Sequence, residues 1–449
     1  MKILIIGAGS AGKNLASKLC EEKHDVVLVD TKSEALDEVS SQQDVLTVQG
    51  EGSSPSTLES AHIDKADLVV AVTNSDEVNI LACMYAKAAG VKYKVARVSK
   101  SDYIHSRNRM NLREAGVDLL VSEKEECSTE MFNILRMPGA LEVVDMLDGR
   151  VLVVGMKVHM DSPMLRTTLK AFPQPELLAK TRFIAIMRGT ELIIPHGDTQ
   201  LMVGDDVYLV GRPADLSTFL AWAWPESSKF QKVIIAGGSD LGLLLAQKLE
   251  ALEMAVVLVE RDEDRAQYCS GLLNKTLVIK GDALDEETLD NCGIADNTAF
   301  AAATREDEKN VIGCLLAGKH GASFTLAQIS KPQYVPVINK LSLLDRAVSP
   351  YLSMVNAILH FVRGRNVHSA TVLHNLPGEL LEVVAPAKSK WTGKAIKKLH
   401  MPEGIIIATI MRNNEVNVAT GEWVIAEGDQ LVIYSAPGHV GKLEALFKK

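Results

Sequence analysis

The chain has 449 residues, of which 47% are hydrophobic and 23% charged, with a formal net charge of -9. That length exceeds one core and implies several globular domains of roughly 100–200 residues, while the acidic balance and the lack of a large Lys/Arg cluster exclude nucleic acid as an expected partner. The six cysteines, Cys20, Cys83, Cys127, Cys269, Cys292 and Cys314, show no C-x-x-C or metal-ligand spacing and read as reduced, mostly buried small hydrophobes of a cytosolic protein.

Lys2 to Ile6 is a continuous apolar run, too short for a secretion signal and expected as a parallel strand covered on both faces. Gly7, Ala8, Gly9, Ser10, Ala11 and Gly12 follow directly, and Leu15, Ala16 and Leu19 then carry one apolar helix face, giving strand, tight turn and helix. A second strand, Val26 to Val29, ends in Asp30, eighteen residues beyond Gly12. In a dinucleotide site Gly7 makes the turn, Gly9 lets the backbone approach the pyrophosphate, and Gly12 lets the helix pack closely on the strand. The helix N-terminus offers free N–H groups and a positive dipole end to phosphate. Asp30 would accept ribose hydroxyls and repel a 2'-phosphate, which favours NAD over NADP.

Further on, Glu51-Gly52 follows the third strand as a candidate lining of an adenine pocket. Thr73-Asn74-Ser75-Asp76 follows the fourth, at the carboxyl edge of the sheet, where it either meets ribose and phosphate or simply caps the next helix. Arg97 follows the fifth, as a phosphate partner or as a surface ion pair. After the sixth, Cys127, Met131, Ile134 and Leu135 form an apolar stripe, expected as core or as a helix that crosses to a partner subunit. Pro138-Gly139 marks a join, and Leu141 to Leu220 is a smaller segment rich in β-branched residues.

The chain then repeats itself. IIGAGSAG at Ile5 to Gly12 returns as IAGGSDLG at Ile235 to Gly242, and Asp30 returns as Glu260, both at an offset of 230. Thr73, Asp76 and Asn79 meet Thr304, Asp307 and Asn310 at an offset of 231, and Gly204-Asp205 meets Gly428-Asp429 at 224. The second glycine loop, Gly237, Gly238, Ser239, Asp240, Leu241 and Gly242, has serine at the middle position, where its side chain would crowd a pyrophosphate or donate to it. Asp282-Ala283 and Thr304 stand where Glu51-Gly52 and Thr73 stand in the first copy, and Gln328 replaces Arg97. Val355, Ile358, Leu359 and Val362 repeat the apolar stripe ahead of the second small segment, Ala370 to Leu446, with further joins at Pro225 to Lys229 and Gly364-Arg365.

The expected fold is therefore α/β, a tandem duplication of a Rossmann-like doubly wound parallel-sheet domain, each copy followed by a small α+β domain. The expected boundaries are 1–124 and 229–348 for the parallel-sheet units, 125–139 and 349–365 for a crossover helix and linker after each, and 140–225 and 366–449 for the small domains. No residue stands out as catalytic. None of the eleven histidines recurs at its equivalent position, and no nucleophile elbow, Walker loop or H-E-x-x-H is present, which points to a sensor rather than an enzyme.

On these residues the chain resembles the RCK/KTN regulatory family, whose RCK_N and RCK_C domains control potassium transport. IIGAGSAG with VVLVD, VQGEGS with AVTNSDEVN, KVARVSKSDY, GDALDEETL and AATREDEKN carry the resemblance, which spans essentially the whole chain. It implies NAD(H), and ATP or ADP, as ligands around Gly7, Gly9, Gly12, Asp30, Thr73 and Asn74 and around Gly237, Gly242 and Glu260. It also implies a homotetrameric ring, cytoplasmic and peripheral to the inner membrane, that docks on a TrkH-type potassium-translocating subunit and gates it. Potassium enters through the resemblance alone. The alternatives are an NAD-dependent oxidoreductase and a regulator of a different membrane transporter.

Overall fold

Ile3, Leu4, Ile5 and Ile6 are all buried, as a strand must be when helices cover both faces of its sheet. The computed structural model describes residues 1–100, 102–105, 112–165, 167–224, 230–252, 254–341, 343–363, 369–371, 376–387, 389, 391–399 and 401–439. In it these four residues lie in β1 (Lys2–Ile6) of a six-stranded sheet. With β2 (Asp25–Asp30), β3 (Leu46–Gln49), β4 (Leu68–Ala71), β5 (Tyr93–Arg97) and β6 (Leu119–Val121), the order is β3-β2-β1-β4-β5-β6 and every pairing is parallel. The order reverses between β1 and β4, which opens a crevice at their carboxyl ends.

The second unit repeats the sheet, with Leu277–Lys280, Ala255–Glu260, Lys232–Ala236, Thr298–Ala302, Phe324–Gln328 and Arg346–Val348 side by side in that order. Each parallel sheet is followed by a five-stranded antiparallel one. The first has the order Ala140–Met146, Val151–Lys157, Asp206–Gly211, Thr181–Arg188, Glu191–Ile193, and the second places Ser369–Thr371, Glu379–Val384, Gln430–Ser435, Ile405–Arg412 and Glu415–Val418 in the same arrangement. The joins expected at Pro225 to Lys229 and at Gly364-Arg365 fall outside the described residues. Between the two small sheets, Val151, Val153, Tyr208 and Val210 bury against Leu380, Ala408, Val432 and Tyr434, and Leu147 N–H donates to Glu382 at 2.6 Å. An ion pair recurs at one place in both small sheets: Arg188 grips buried Asp205, and Arg412 grips buried Asp429. All six cysteines are free thiols and only Cys20 is partly exposed.

The helix that leaves β6, Glu123–Arg136, does not cover its own sheet. Its Cys127, Met131, Ile134 and Leu135 enter the core of the second unit, beside Val233, Ile235, Leu245 and Leu249. Helix Pro350–Arg363 makes the reciprocal move, and its Met354, Val355, Ile358, Leu359 and Val362 pack with Ile3, Ile5, Leu15 and Leu19 of the first unit. The stripes are core, but each is the core of the other half. At about 1.5–3 kcal/mol for each buried side chain, every exchanged helix contributes enough apolar burial to hold the two halves together.

Candidate functional site

The first glycine loop begins with Gly7 at φ +108°, and its N–H donates to Val29 O at 2.7 Å, so the turn is tied to the end of β2. Any side chain at Gly12 would run into the carbonyl of Gly7, whereas one at Gly9 would meet nothing within 4 Å and would project into the crevice. Gly9 is the N-cap of helix Ser10–Glu21 and supplies no side chain, so the first helical amides are left to whatever enters the cleft. Ala11 and Gly12 lie buried against the sheet and offer only their backbone.

Asp30 sits where β2 ends and does more than wait for a ribose. Its Oδ2 accepts the Ala8 N–H at 2.6 Å and its Oδ1 accepts the Lys32 N–H at 2.9 Å, so the carboxylate braces the glycine loop against its own strand. Remaining lone pairs face a cavity of about 810 Å³ lined by Gly7, Ala8, Gly9, Ser10, Asp30, Glu51, Thr73 and Asn74, together with Lys13, Lys32 and Ser53, which sequence reasoning did not select. The volume falls within the range of small-molecule sites.

Besides the buried Ala11 and Gly12, two expected residues, Asp76 and Arg97, are not in this lining. Asp76 turns back into the protein, where its two oxygens accept the N–H groups of Ser99 and Lys100 at 2.9 and 3.0 Å. Arg97 pairs with Glu123 at 3.2 Å and reaches Asn74 Oδ1 at 3.4 Å, standing one layer behind the cleft as an ion pair. The hub of the loop is Asn79, fully buried: its Oδ1 accepts from Thr73 N and Oγ1, and its Nδ2 donates to Thr73 O and Arg97 O. Asn310 repeats those bonds with Thr304 and Gln328 O, and Asp307 repeats those of Asp76 with Ser330 and Lys331. The recurrence of Thr, Asp and Asn in both copies thus reflects a shared loop scaffold, from which the threonine reaches the cleft in each half and Asn310 also lines the second.

In the second half Glu260 plays the part of Asp30, accepting from Gly238 N at 2.7 Å and Asp262 N at 2.9 Å. Ser239 departs from Gly9. Its hydroxyl donates to Ala303 O at 2.7 Å and accepts from Gly242 N at 3.2 Å, so the serine caps its own helix and has no proton left for a phosphate. Asp240 is likewise engaged, between Lys124 at 2.6 Å and Arg265 at 2.8 Å, and these partners hold its carboxyl below the usual range. Leu241 and Gly242 are buried in helix-to-sheet packing. The cavity, about 390 Å³, is lined by Gly237, Gly238, Ser239, Glu260, Asp282 and Thr304 as expected, and also by Arg261, Arg265, Arg305 and Lys309, none of them anticipated. Arg265 lies across the loop, its Nε donating to Gly238 O. Arg261 and Arg265, which flank the acids of the R-D-E-D-R run after the second strand, were the available signal for two of these four.

Two clefts of this kind, each with a glycine turn, an open or self-capped helix N-terminus and an acidic strand end, and each followed by a small antiparallel domain, define a tandem Rossmann protein of RCK type. Comparison with known proteins agrees. The TrkA-N domain model matches residues 3–123 and 233–350, and the TrkA-C domain model matches 153–223 and 380–448. The chain belongs to the TrkA family. It is 32% identical to the Trk system potassium uptake protein TrkA of Haemophilus influenzae, over 100% of this chain and 99% of that one. It is 30% identical to a TrkA homolog of Archaeoglobus fulgidus, over 100% of both. In fold it is similar to the GsuK RCK domain, with a TM-score of 0.61 at 19% identity over 99% of this chain and 94% of that chain. The GsuK channel bound to NAD matches with the same TM-score and identity, over 99% and 78%.

Proposed function

We propose that this chain is a nucleotide-sensing regulatory subunit of potassium uptake and not an enzyme. The observation that carries the reading is the first cleft, where an uncapped helix N-terminus, the empty space over Gly9 and the Asp30 carboxylate converge on one cavity. Such a site binds phosphate through backbone dipoles and ribose through a carboxylate, and the acid repels a 2'-phosphate. NAD(H) is therefore the ligand we assign to it, with ATP or ADP as competitors for the same adenosine contacts. Membership of a potassium-uptake family supports potassium as the ion, and the reading includes a ring of four chains docked on the cytoplasmic face of a TrkH-type subunit. Exposed apolar residues at equivalent helical positions in the two halves, Leu81 with Ile312 and Met84 with Leu315, support self-association.

A ligand gates only if it prefers one arrangement of the ring. The test is potassium flux in vesicles holding the membrane subunit, with this protein and NADH or NADPH added. Flux should respond to NADH. Asp30→Ala, which loses both loop bonds and the ribose acceptor, should weaken NADH binding about tenfold and narrow the preference over NADPH. Flux indifferent to the protein and to every nucleotide would overturn the reading.

A further inference from the structure

The exchange of helices carries a residue of each half onto the glycine loop of the other. Lys124 and Tyr351 occupy equivalent places, each two residues past the serine, Ser122 or Ser349, that precedes its exchanged helix. Lys124 pairs with Asp240, the first residue of the helix that follows the second glycine loop. Tyr351 donates its hydroxyl to Ser10 O, on the first loop. Between these ends the two helices touch, with Ser353 Oγ donating to Glu130 Oε2 at 2.5 Å. Lys248 of the second unit adds a contact to Glu125 at 3.5 Å.

We propose that Lys124 and Tyr351, each brought from the opposite half, brace the glycine loops at the edges of the two nucleotide clefts, and that these residues make occupancy of one cleft alter the affinity of the other. At the second cleft Lys124 and Arg265 both pair with Asp240. A phosphate arriving at the same helix N-terminus competes with that carboxylate for both cations. Arg265 belongs to the second half, so its movement stays local. Lys124 belongs to the first, so a phosphate that takes its ammonium from Asp240 changes the pull on the start of helix Glu123–Arg136, to which Arg97 is also paired through Glu123. Through Ser353 and Glu130 the strain reaches helix Pro350–Arg363 and the hydroxyl that holds Ser10. The loops differ in kind: an ion pair guards the second, and a neutral hydrogen bond guards the first.

This inference rests on nucleotide binding in both clefts, and the experiment separates the two claims. The full chain is titrated calorimetrically with ADP, beside Gly9→Asp and Ser239→Asp proteins that each close one cleft. The three titrations are repeated in Lys124→Met and Tyr351→Phe backgrounds, which keep the side chains' apolar reach, with melting midpoints recorded for each protein. The wild-type isotherm should depart from the sum of its two single-cleft isotherms by about fivefold or more in the second step. In both backgrounds the departure should shrink toward additivity. An additive wild-type isotherm, binding in one cleft only, or a departure undiminished by either substitution overturns the coupling and leaves nucleotide binding standing. No binding by any protein overturns the functional reading, and the coupling with it.

Discussion

Gly9 and Gly12 are both glycine for opposite reasons. Gly12 has no room for a side chain, because a Cβ there would run into Gly7 O, a backbone atom that cannot swing aside. Gly12→Ala should therefore destabilise the protein by about 3 kcal/mol, read as a lower urea midpoint. Gly9→Ala places its methyl in the open cleft, so the midpoint should stay within about 0.5 kcal/mol while nucleotide affinity falls. Ser239, at the position of Gly9 in the second half, shows that the backbone accepts a side chain there without distortion, both residues being extended caps of their helices. The glycines were legible in the sequence because their roles are settled within six residues. Asp76 was not, since its partners Ser99 and Lys100 lie more than twenty residues away and an aspartate at a helix start reads equally as a ligand contact. Arg265 was missed for a related reason: it enters the second cleft from the middle of a helix turn, where a charged residue ordinarily faces solvent.

At the scale of elements, helix Glu123–Arg136 carries the clearest test. Its Glu126 is partly buried at the seam with the second unit, where burial, opposed by Lys248 and reinforced by Glu125, pushes the carboxyl up to about 7. A carboxyl whose pKa is higher folded than unfolded costs nothing below the unfolded value of 4.5, where both states are protonated. The cost grows as pH rises and is complete above about 7, at roughly 3 kcal/mol. Glu126→Gln, which mimics the neutral form, should melt above wild type at pH 8, with the gap closing by pH 5. Equal melting curves at pH 8 would show that the carboxylate is solvated in the folded chain. The apolar stripe on this helix was legible as a buried face, because a 3.6-residue period records that one side avoids water. What it packs against was not legible, since the stripe would look the same on its own sheet, on a second subunit or on the other half.

The duplication itself was the most legible feature of the whole molecule, because residues recur in order across more than two hundred positions, and the structure places the repeats in matching sheets. The exchange adds what the repeat alone does not give. Residues 1–224 expressed alone would carry helix Glu123–Arg136 without a sheet to receive it, and would lack the helix that covers Ile3, Ile5 and Leu15. A second copy supplies both. The fragment should therefore run as a dimer by light scattering, and a well-folded monomer would contradict the packing described above. In the intact chain the same arrangement has a consequence for descent. Because both halves lie on one chain and each covers the other's sheet, the pair is inherited as one unit in a fixed one-to-one ratio. That frees the clefts, which lie off the seam except at Lys124 and Tyr351, to specialise separately: glycine with an open cap in one half, serine with a guard of arginines in the other.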